Sequence, residues 1–400
     1  MGIVRKILTI LSKTVACLIV TALMAVAATS FSPVYRFRVP TPFKGPDIYN
    51  PYRNLDTSFC WKRANFHTHT KVKGLLNECD FWPADVHAAY EKFGYDIVTF
   101  SNHNELTTHP FDTSLQVNVY EHGINLLKYH KLVFGCERVK RFDHLVPLFA
   151  FQKQFQIDFL GKDADIIQIN HPLRTEGFTE GQMEKLSGYR LIELDSGRST
   201  ENGYWDKALS AGHYSYGVAN DDLHYPDRSG RIAVRSNFLC CPTAGYKDIK
   251  SVLTKGCFYS MRTPDYGRGD WSIKYKKNRN LPYVKDIGLK DSVIHISLSC
   301  IADSIKVTGQ NHSTLAAIYG SDYLEYGFRK KDTYARITAW FPEGEVIYTN
   351  PFARYDSSLS ESPYDDTPQD KDIILTILYN LLVAAATALC AYILYKIIRP

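Results

Sequence analysis

The chain contains 400 residues, of which 45% are hydrophobic and 22% are charged. This composition is typical of a folded protein with room for more than one domain, and it excludes a chain that is disordered throughout. The net charge of +5 is spread along the sequence without a block of lysine and arginine, so we expect no nucleic-acid partner.

Both ends of the chain are apolar. Within residues 1–31, Arg5, Lys6 and Lys13 precede an apolar run over 15–28, an arrangement found in signal peptides and in uncleaved anchors. Its length favours an anchor but leaves the choice open. Residues 373–398 predict a transmembrane helix, with Lys396 and Arg399 near its end. The positive-inside rule then predicts a protein of the cell membrane whose residues 32–372 face the periplasm or the exterior.

The segment between the membrane helices divides into several predicted parts. Residues 32–59 are rich in proline and predict a linker. Residues 60–265 alternate short apolar strands with helices, which predicts an α/β fold with a parallel sheet closed into a barrel. One helix is expected over 84–93, because Pro83 suits the first helical position and Gly94 suits the end. The expected strands cover 64–67, 96–101, 132–136, 165–170, 190–194 and 214–219.

The remaining part of the exterior segment lacks a helical period. Residues 266–356 contain strand-like runs broken by glycine, asparagine and proline, and they predict a small β-sandwich. Residues 357–372 form an acidic linker to the C-terminal membrane helix. Seven of the nine cysteines lie outside the membrane segments, and the sequence leaves their disulfide pairing open.

Histidines and acids recur at the predicted strand ends. His67 and His69 follow the first strand, and Asp222 and His224 repeat the same spacing, which places two ligands on one face of an extended chain. Further candidate metal ligands occur at corresponding positions: His103, Glu137, His144 and His171. A barrel would bring strand ends together at one rim. These imidazoles and carboxylates outnumber the coordination positions of one tetrahedral ion, and we therefore expect at least two divalent metals. Zn, Mn and Fe are the ions that suit such ligands.

The motifs that carry these residues resemble those of the PHP family, the polymerase and histidinol phosphatase metal-dependent phosphoesterases. They are F-H-T-H-T at 66–70, S-N-H-N-E at 101–105, G-C-E at 135–137, I-N-H-P at 169–172, I-E-L-D at 192–195 and N-D-D-L-H-Y at 220–225. The segment G-C-F-Y-S-M-R at 256–262 is similar to the CehA-like branch of that family. The resemblance implies a distorted seven-stranded (β/α) barrel that hydrolyses phosphoesters with two or three divalent metals.

The resemblance also implies how the ligands divide between metals. One metal would be held by His67, His69, Glu137 and Asp222, and a second by Glu137, His144 and His171. The third site of the family would take His103 and His224. Glu137 would bridge two cations and, with Asp222, carry the catalysis. The sequence departs from the family at two points. The nearest acids after His69 are Glu78 and Asp80, which weakens the third site, and Asn102 replaces the usual aspartate before the second-motif histidine.

The expected reaction is hydrolysis by a water that a metal activates, with the cations stabilising charge on the phosphoryl oxygens. Arg138, Arg174 and Arg262 are candidates for binding the phosphate, because a guanidinium presents a fork of donors. The substrate would be a phosphorylated small molecule or an envelope-derived compound. Two alternatives stay open: a carboxylester or carbamate hydrolase using the same site, and a non-catalytic envelope protein.

Overall fold

The computed structural model describes residues 2–56, 61–74, 77–173, 177–196, 199–200, 203–226, 231–266 and 271–399. It contains a long apolar helix near each end and six shorter helices between them. The helices are α1 (Gly2–Ala28), α2 (Pro83–Lys92), α3 (Ala150–Gly161), α4 (Glu180–Met183), α5 (Gly203–Ser210), α6 (Tyr246–Lys255), α7 (Trp271–Asn278) and α8 (Ile373–Ile398).

The strands fall in one small sheet and two large ones. They are β1 (Tyr35–Arg36), β2 (Asp47–Tyr49), β3 (Lys62–Asn65), β4 (Ile97–Val98), β5 (Val119–His122), β6 (Lys131–Phe134), β7 (Ile166–Ile169), β8 (Leu191–Ser196), β9 (Ser199–Thr200), β10 (Tyr216–Asn220), β11 (Arg235–Leu239), β12 (Phe258–Arg262), β13 (Val284–Lys290), β14 (Val293–Gly309), β15 (Ser313–Gly327), β16 (Tyr334–Trp340), β17 (Val346–Thr349), β18 (Phe352–Tyr355) and β19 (Asp370–Lys371).

The first large sheet has the order β10-β8-β7-β6-β5, with β9 beside β8. Strands β7, β8 and β10 are parallel to one another, whereas β6 is antiparallel to both of its neighbours, β5 and β7. Strand β5 therefore has the same direction as β7, β8 and β10, and β6 alone in this series of five is reversed. This reversal decides which side chains reach the metal centre described below.

The second large sheet begins with the parallel pair β3 and β4 and continues through β11, β12, β17, β16, β14 and β13. The two sheets meet at two isolated parallel bridges, Thr68 with Leu223 and His103 with Glu121. The described strands thus form a mixed α/β arrangement, and they do not close into the predicted seven-stranded barrel. Single bridges replace continuous ladders at the two junctions, because the chain turns away to form the ligand-bearing loops there.

The second sheet crosses the predicted boundary at residue 265. Strand β12, in the first predicted part, pairs with β17, in the second. One hydrophobic core, around Leu132 and Ile169, takes side chains from both large sheets, and another, around Ile305 and Ile337, lies on the second sheet. The strands of residues 266–356 therefore extend a sheet that also carries metal-ligand candidates.

Local sequence explains the elements next to the site. Helix α2 confirms the helix expected over 84–93: Asp85 accepts a hydrogen bond from the backbone N–H of Trp82, and Val86 and Tyr90 are buried. Strand β6 ends just before Gly135, whose φ of +76° suits glycine. A Cβ at this glycine would collide with the carboxylate of Asp165.

The two terminal helices pack against each other, and both have the length and hydropathy of membrane spans. Polar groups join them where the chain leaves α1 and enters α8. The hydroxyl of Tyr379 donates to the carbonyl of Ser30, and the side chain of Asn380 bonds to the backbone of Ser32 in both directions. These contacts join the chain that directly follows α1 to the second turn of α8.

Candidate metal centre

The candidate metal ligands follow strands of common direction. His67 and His69 come after β3, His103 after β4, Glu121 lies in β5, and His171 and Asp222 follow β7 and β10. Because the carboxyl ends of parallel strands lie at one edge, these residues meet although they are far apart in sequence. We call this edge the ligand edge. His130 also lies there, because it precedes the reversed strand β6.

The carboxylate of Glu121 is at the centre of the site and is 1% exposed. Its Oε2 atom lies 3.1 Å from Nε2 of His67 and 3.2 Å from Nε2 of both His69 and His103. Its Oε1 atom lies 3.1 Å from Nδ1 of His130 and 3.3 Å from Nε2 of His171. The two oxygens thus face two different sets of imidazoles. A carboxylate in this position can be shared between two cations.

Asp222 is the second carboxylate of the centre. Its Oδ1 atom lies 3.2 Å from Nε2 of His67 and 3.4 Å from Nε2 of both His69 and His224. The rings of His69 and His224 stack with their centroids 4.4 Å apart. His67, His69, Glu121 and Asp222 are all buried and form one group whose ligand atoms lie within 4.8 Å of one another.

A second group of three candidate ligands, His69, Glu78 and His103, lies toward solvent. Oε2 of Glu78 is 3.2 Å from Nε2 of His103, 3.7 Å from Nδ1 of His224 and 3.9 Å from Nδ1 of His69. The Glu78 side chain is 44% exposed, whereas His69 is buried. Glu78 therefore supplies an acid beside the two histidines of the expected third site, and it marks the open side of the centre.

Further residues orient the ligands. The Oε1 atom of Glu193 lies 3.1 Å from Nδ1 of His67, and its Oε2 atom accepts the backbone N–H of His171 at 2.8 Å. The side-chain amide of Asn170 donates to Oε1 of Glu121 at 2.9 Å. A partner on the outer nitrogen of a ligating histidine fixes the tautomer and the direction of the ring. Glu193 therefore serves as a positioning residue for two ligands.

The backbone at two ligands is held in a rare conformation. The φ angles are +26° at His171 and +49° at Asp222. Such angles cost on the order of 1–3 kcal/mol in residues other than glycine, so surrounding bonds must impose them. Beside Asp222, the carboxylate of Asp221 accepts the backbone N–H groups of Ala233 and Arg235. This clamp fixes the turn that directs Asp222 into the centre.

Burial and charge shift the titration of the ligands. Burial alone would lower the pKa of His67 and His69, but the carboxylates of Glu121 and Asp222 raise the pKa of His67 well above its usual value and that of His69 to about 9. Burial opposes ionisation of Glu121, yet His67, His103 and His130 hold its pKa well below the usual range. For His130 burial dominates and lowers the pKa to about 4.

The arrangement fits divalent metals. The buried Nε2 atoms of His67 and His69 have no hydrogen-bond partner among the residues that the structure describes, although each lies near two carboxylate oxygens. Buried polar atoms without hydrogen bonds are rare in native proteins and require an explanation. Imidazole nitrogens and carboxylate oxygens that converge from several directions on one space are suited to Zn, Mn or Fe.

Two predicted ligands lie elsewhere. Glu137 is exposed and follows β6, whose C-terminal end lies at the opposite edge of the sheet because this strand is reversed. Glu121 occupies the bridging position that was expected for Glu137. His144 is buried but its Nδ1 atom contacts the carbonyl of Thr29, beyond the end of α1, and its ring packs against Phe142 and Phe155. The structure therefore brings neither Glu137 nor His144 into the centre.

The predicted phosphate-binding arginines have different positions. Arg138 is exposed beside Glu137, at the opposite edge. Arg174 lies outside the described residues. Arg262 ends β12 on the side of the ligand edge, and its Nε atom is 3.6 Å from Oδ2 of Asp195. Of the three, Arg262 alone remains a described candidate for contacting substrate.

Sequence reasoning missed Glu121, His130, Glu193 and Glu78 as members of the site. His130 was not among the candidate ligands, and strand β5 was not predicted. The sequence offered one signal for Glu121, an acid in the run Val119-Tyr120-Glu121-His122, which the structure shows to be a fully buried strand. A buried charge in a strand requires compensation by ligands or opposite charges. The direction of β6 had no comparable signal.

Comparisons with known proteins give little further information. No family model and no curated protein matches the chain. Among solved structures, one similar chain is a two-domain protein from Bacteroides vulgatus described as containing a predicted PHP-like metal-dependent phosphoesterase. It is 15% identical, the match covers 78% of this chain and 99% of that chain, and the TM-score is 0.40. Similarity at this level does not carry an argument about the function of the present chain.

Proposed function

We propose that this protein is a membrane-anchored, extracytoplasmic, metal-dependent phosphoesterase. The observation that carries the proposal is the carboxylate of Glu121, shared between five imidazoles, with His67, His69 and His103 on one oxygen and His130 and His171 on the other. These ligands outnumber the coordination positions of a single tetrahedral ion. Motif resemblance to the PHP family agrees with a site for two or three divalent cations.

The ligands would be shared between the cations in the following way. His67, His69, Asp222 and Glu121 would hold one cation, with His130 and His171 on the other side of Glu121. Glu78, His103 and His224 would hold a further cation at the open side. When bound, divalent cations lower the pKa of a water and stabilise negative charge on phosphoryl oxygens. Glu193 keeps His67 in the orientation that leaves its Nε2 atom free for a ligand bond.

Helices α1 and α8 would anchor the protein in a bilayer. Both are long enough to span it, and the basic residues Arg5, Lys6, Lys13, Lys396 and Arg399 lie toward the two ends of the chain. The positive-inside rule places those ends in the cytoplasm and the metal centre on the other side. The substrate would accordingly be a phosphorylated small molecule or an envelope-derived compound.

The test uses the full chain in detergent. Metal content is measured first, then hydrolysis of aryl phosphomonoesters, phosphodiesters and carboxylesters with Mn or Zn added. We expect bound metal and phosphoester hydrolysis in the wild type, and loss of both in Asp222→Ala. Glu137→Ala is the matched control, because this exposed acid lies outside the centre and should change neither quantity.

Two results would contradict the proposal. Wild type and Asp222→Ala hydrolysing every compound equally slowly would exclude this centre as a catalyst. Preferential hydrolysis of carboxylesters, lost in Asp222→Ala, would retain the metal centre and exclude phosphoesters as its substrates.

A further inference from the structure

Exposed apolar side chains surround the ligand edge. Two of them, Ile124 and Leu126, lie in the loop between Glu121 and His130, and Leu126 is 74% exposed. Leu173 follows His171 by two residues and is also exposed. Others lie in the loop that leads into α3. We call these residues together the apolar rim: Ile124, Leu126, Phe142, Leu148, Phe149 and Leu173.

The apolar rim is continuous with the ends of the two apolar helices. The ring of Phe149 lies 6.5 Å from that of Tyr379 in α8, and the ring of the adjacent Phe151 lies 4.9 Å from it. The backbone N–H of Leu126 donates to the carbonyl of Leu145, whose own N–H donates to the hydroxyl of Thr29 just after α1. A short chain of contacts therefore connects the membrane helices with the loop between two metal ligands.

Helix α3 shows which edge of the sheet faces the membrane. At its N-terminal end, the side chain of Gln152 donates to the hydroxyl of Tyr379, in the second turn of α8. Toward its C-terminal end, Asp158 accepts a hydrogen bond from Tyr35, which pairs with Lys371 before α8 begins. The N-terminal end of α3 thus lies deeper along α8 than the C-terminal end does.

The direction of α3 then fixes the direction of the sheet. Helix α3 leads into the start of β7, so the far end of β7, where His171 follows, lies beside the N-terminal half of α3. Two contacts agree: Lys131, at the start of the reversed strand β6, donates to Gln156, and Tyr129 donates to the carbonyl of Lys153. The ligand edge therefore points toward the membrane side of the molecule.

The level of the bilayer surface follows from the length of α8. This helix has 26 residues, whereas about 20 span the hydrocarbon core. The excess lies at the end that begins with Ile373, because Tyr379 and Asn380 carry polar groups and bond to the chain after α1. Tyrosine is enriched at the interface between lipid and water. Tyr379 marks the surface, and Phe149 of the apolar rim packs against it.

We propose that the apolar rim lies in the interface of the bilayer and that the metal centre takes its phosphoester from a lipid headgroup. The inference rests on the proposed function, which supplies both the membrane and the reaction. An edge that displays leucine and phenylalanine beside two membrane helices is stabilised by insertion among lipid headgroups. Lys128, between Leu126 and His130, adds a positive charge that favours an anionic lipid surface.

The position of the apolar rim can be measured without any enzyme assay. The full chain is reconstituted in phosphatidylcholine vesicles with and without lipid carrying bromine near the headgroup, which quenches nearby tryptophan. The variants are Leu126→Trp and Leu148→Trp. The matched control is Leu359→Trp, at a leucine that is 83% exposed. Leu359 lies in the segment that leads to Tyr364, and Tyr364 stacks on Arg190. Because Arg190 directly precedes β8, this segment lies near the edge opposite to the ligand edge. The five native tryptophans are common to all samples.

We expect the added fluorescence at positions 126 and 148 to be quenched and that at position 359 to be unaffected. Retained metal content shows that each variant is folded. Equal, weak quenching at all three positions would overturn the proposed membrane position of the ligand edge.

The substrate class is tested with lipids and their soluble headgroups. In the same vesicles, hydrolysis of phosphatidic acid is compared with that of glycerol 3-phosphate, and hydrolysis of phosphatidylglycerol with that of glycerophosphoglycerol. At equal bulk concentration we expect at least one lipid to react at least about tenfold faster than its headgroup, because a shared bilayer raises its effective concentration at the site. Leu126→Asp with Leu148→Asp should lower the lipid rate and leave the headgroup rate unchanged, whereas Leu359→Asp should change neither.

The outcomes separate this inference from the proposed function. Hydrolysis of soluble phosphoesters that is lost in Asp222→Ala, without preference for either lipid, overturns the lipid substrate and leaves the phosphoesterase standing. Absence of hydrolysis with all four compounds overturns the lipid substrate, and absence of hydrolysis with the aryl phosphoesters as well overturns the proposed function. The quenching result still decides the position of the apolar rim in either case.

Discussion

The two edges of the sheet that contains β5 to β10 differ in how they carry charge. At the ligand edge, Glu121 and Asp222 are buried among imidazoles. At the opposite edge, Glu137 and Arg138 are exposed, and Asp165 pairs with Lys250 and Tyr246 in contact with solvent. Both edges contain acids beside strand ends. Burial and convergence of the side chains, and not the presence of an acid after a strand, therefore identify the functional edge.

The reversed strand β6 joins the two edges. His130, before its first residue, lies at the ligand edge beside Glu121, and Glu137, after its last residue, lies at the other. Had β6 been parallel to its neighbours, the two residues would have exchanged edges.

The largest expected effect comes from exchanging carboxylate for amide at the two edges. We expect Glu121→Gln to lower metal affinity and phosphoester hydrolysis at least about hundredfold, because the amide removes the charge that two cations would share. This loss is larger than the loss of about 10–100-fold that is usual for residues that only orient ligands. Glu137→Gln should leave both within error of wild type. Metal content and kcat/KM are the measurements. A larger loss in Glu137→Gln than in Glu121→Gln would reverse the assignment of the two edges.

A smaller effect is expected from Glu193, which contacts the metal ligands without being one of them. Glu193→Gln keeps the size of the side chain but weakens its bonds to Nδ1 of His67 and to the backbone of His171. We expect a loss of roughly 10–100-fold in metal affinity, the range found for residues that orient ligands. Saturating metal should restore most of the activity, whereas it should not rescue Asp222→Ala. A variant whose affinity equals that of wild type would show that His67 needs no such partner.

Metal binding should also release protons at the ligand edge. The carboxylates raise the pKa of His69 to about 9 and that of His67 well above its usual value, so both rings carry a proton at pH 7 in the metal-free protein. A metal needs their neutral form, so affinity should rise with pH above 7, by about tenfold per pH unit for each proton released, and the share of this rise that is due to His69 should level off above about pH 9.

Calorimetry in two buffers of different ionisation enthalpy counts those protons. We expect His69→Gln to release one proton fewer than wild type. His130 should contribute none, because burial lowers its pKa to about 4. Binding without any proton release at pH 7 would contradict the charge state inferred for His67 and His69.

The sequence predicts much of the ligand edge but not its centre. His67, His69, His171, Asp222 and His224 follow strands of common direction, so motif spacing and strand order suffice to bring them together. Glu121 and Glu137 are a different case, since both are acids near strands, and choosing between them requires the direction of β6. That direction depends on pairing with β5 and β7, which involves residues distant in sequence and leaves no local pattern.

The fold shows the same limit at a larger scale. Alternating strands and helices correctly indicate a mixed α/β arrangement, but the prediction of a closed barrel is wrong. At Thr68–Leu223 and His103–Glu121 the two sheets are joined by single residue pairs and not by continuous ladders. Periodicity describes each strand separately and contains no information on how many residues of two strands will pair. The loops that interrupt pairing there are those that carry the ligands.

The smallest expected effect tests the opposite edge. Lys250→Met removes the ion pair with Asp165, in which the two side chains are 44% and 29% exposed. An exposed pair contributes at most about 1 kcal/mol, because water screens the charges and the long lysine side chain loses conformational freedom. We therefore expect a small decrease in the urea midpoint of the metal-free chain in detergent, unchanged metal affinity and unchanged hydrolysis. Loss of bound metal in this variant would show that the opposite edge supports the centre. The contrast between buried, converging charges and exposed ion pairs would then no longer distinguish functional charges from surface charges.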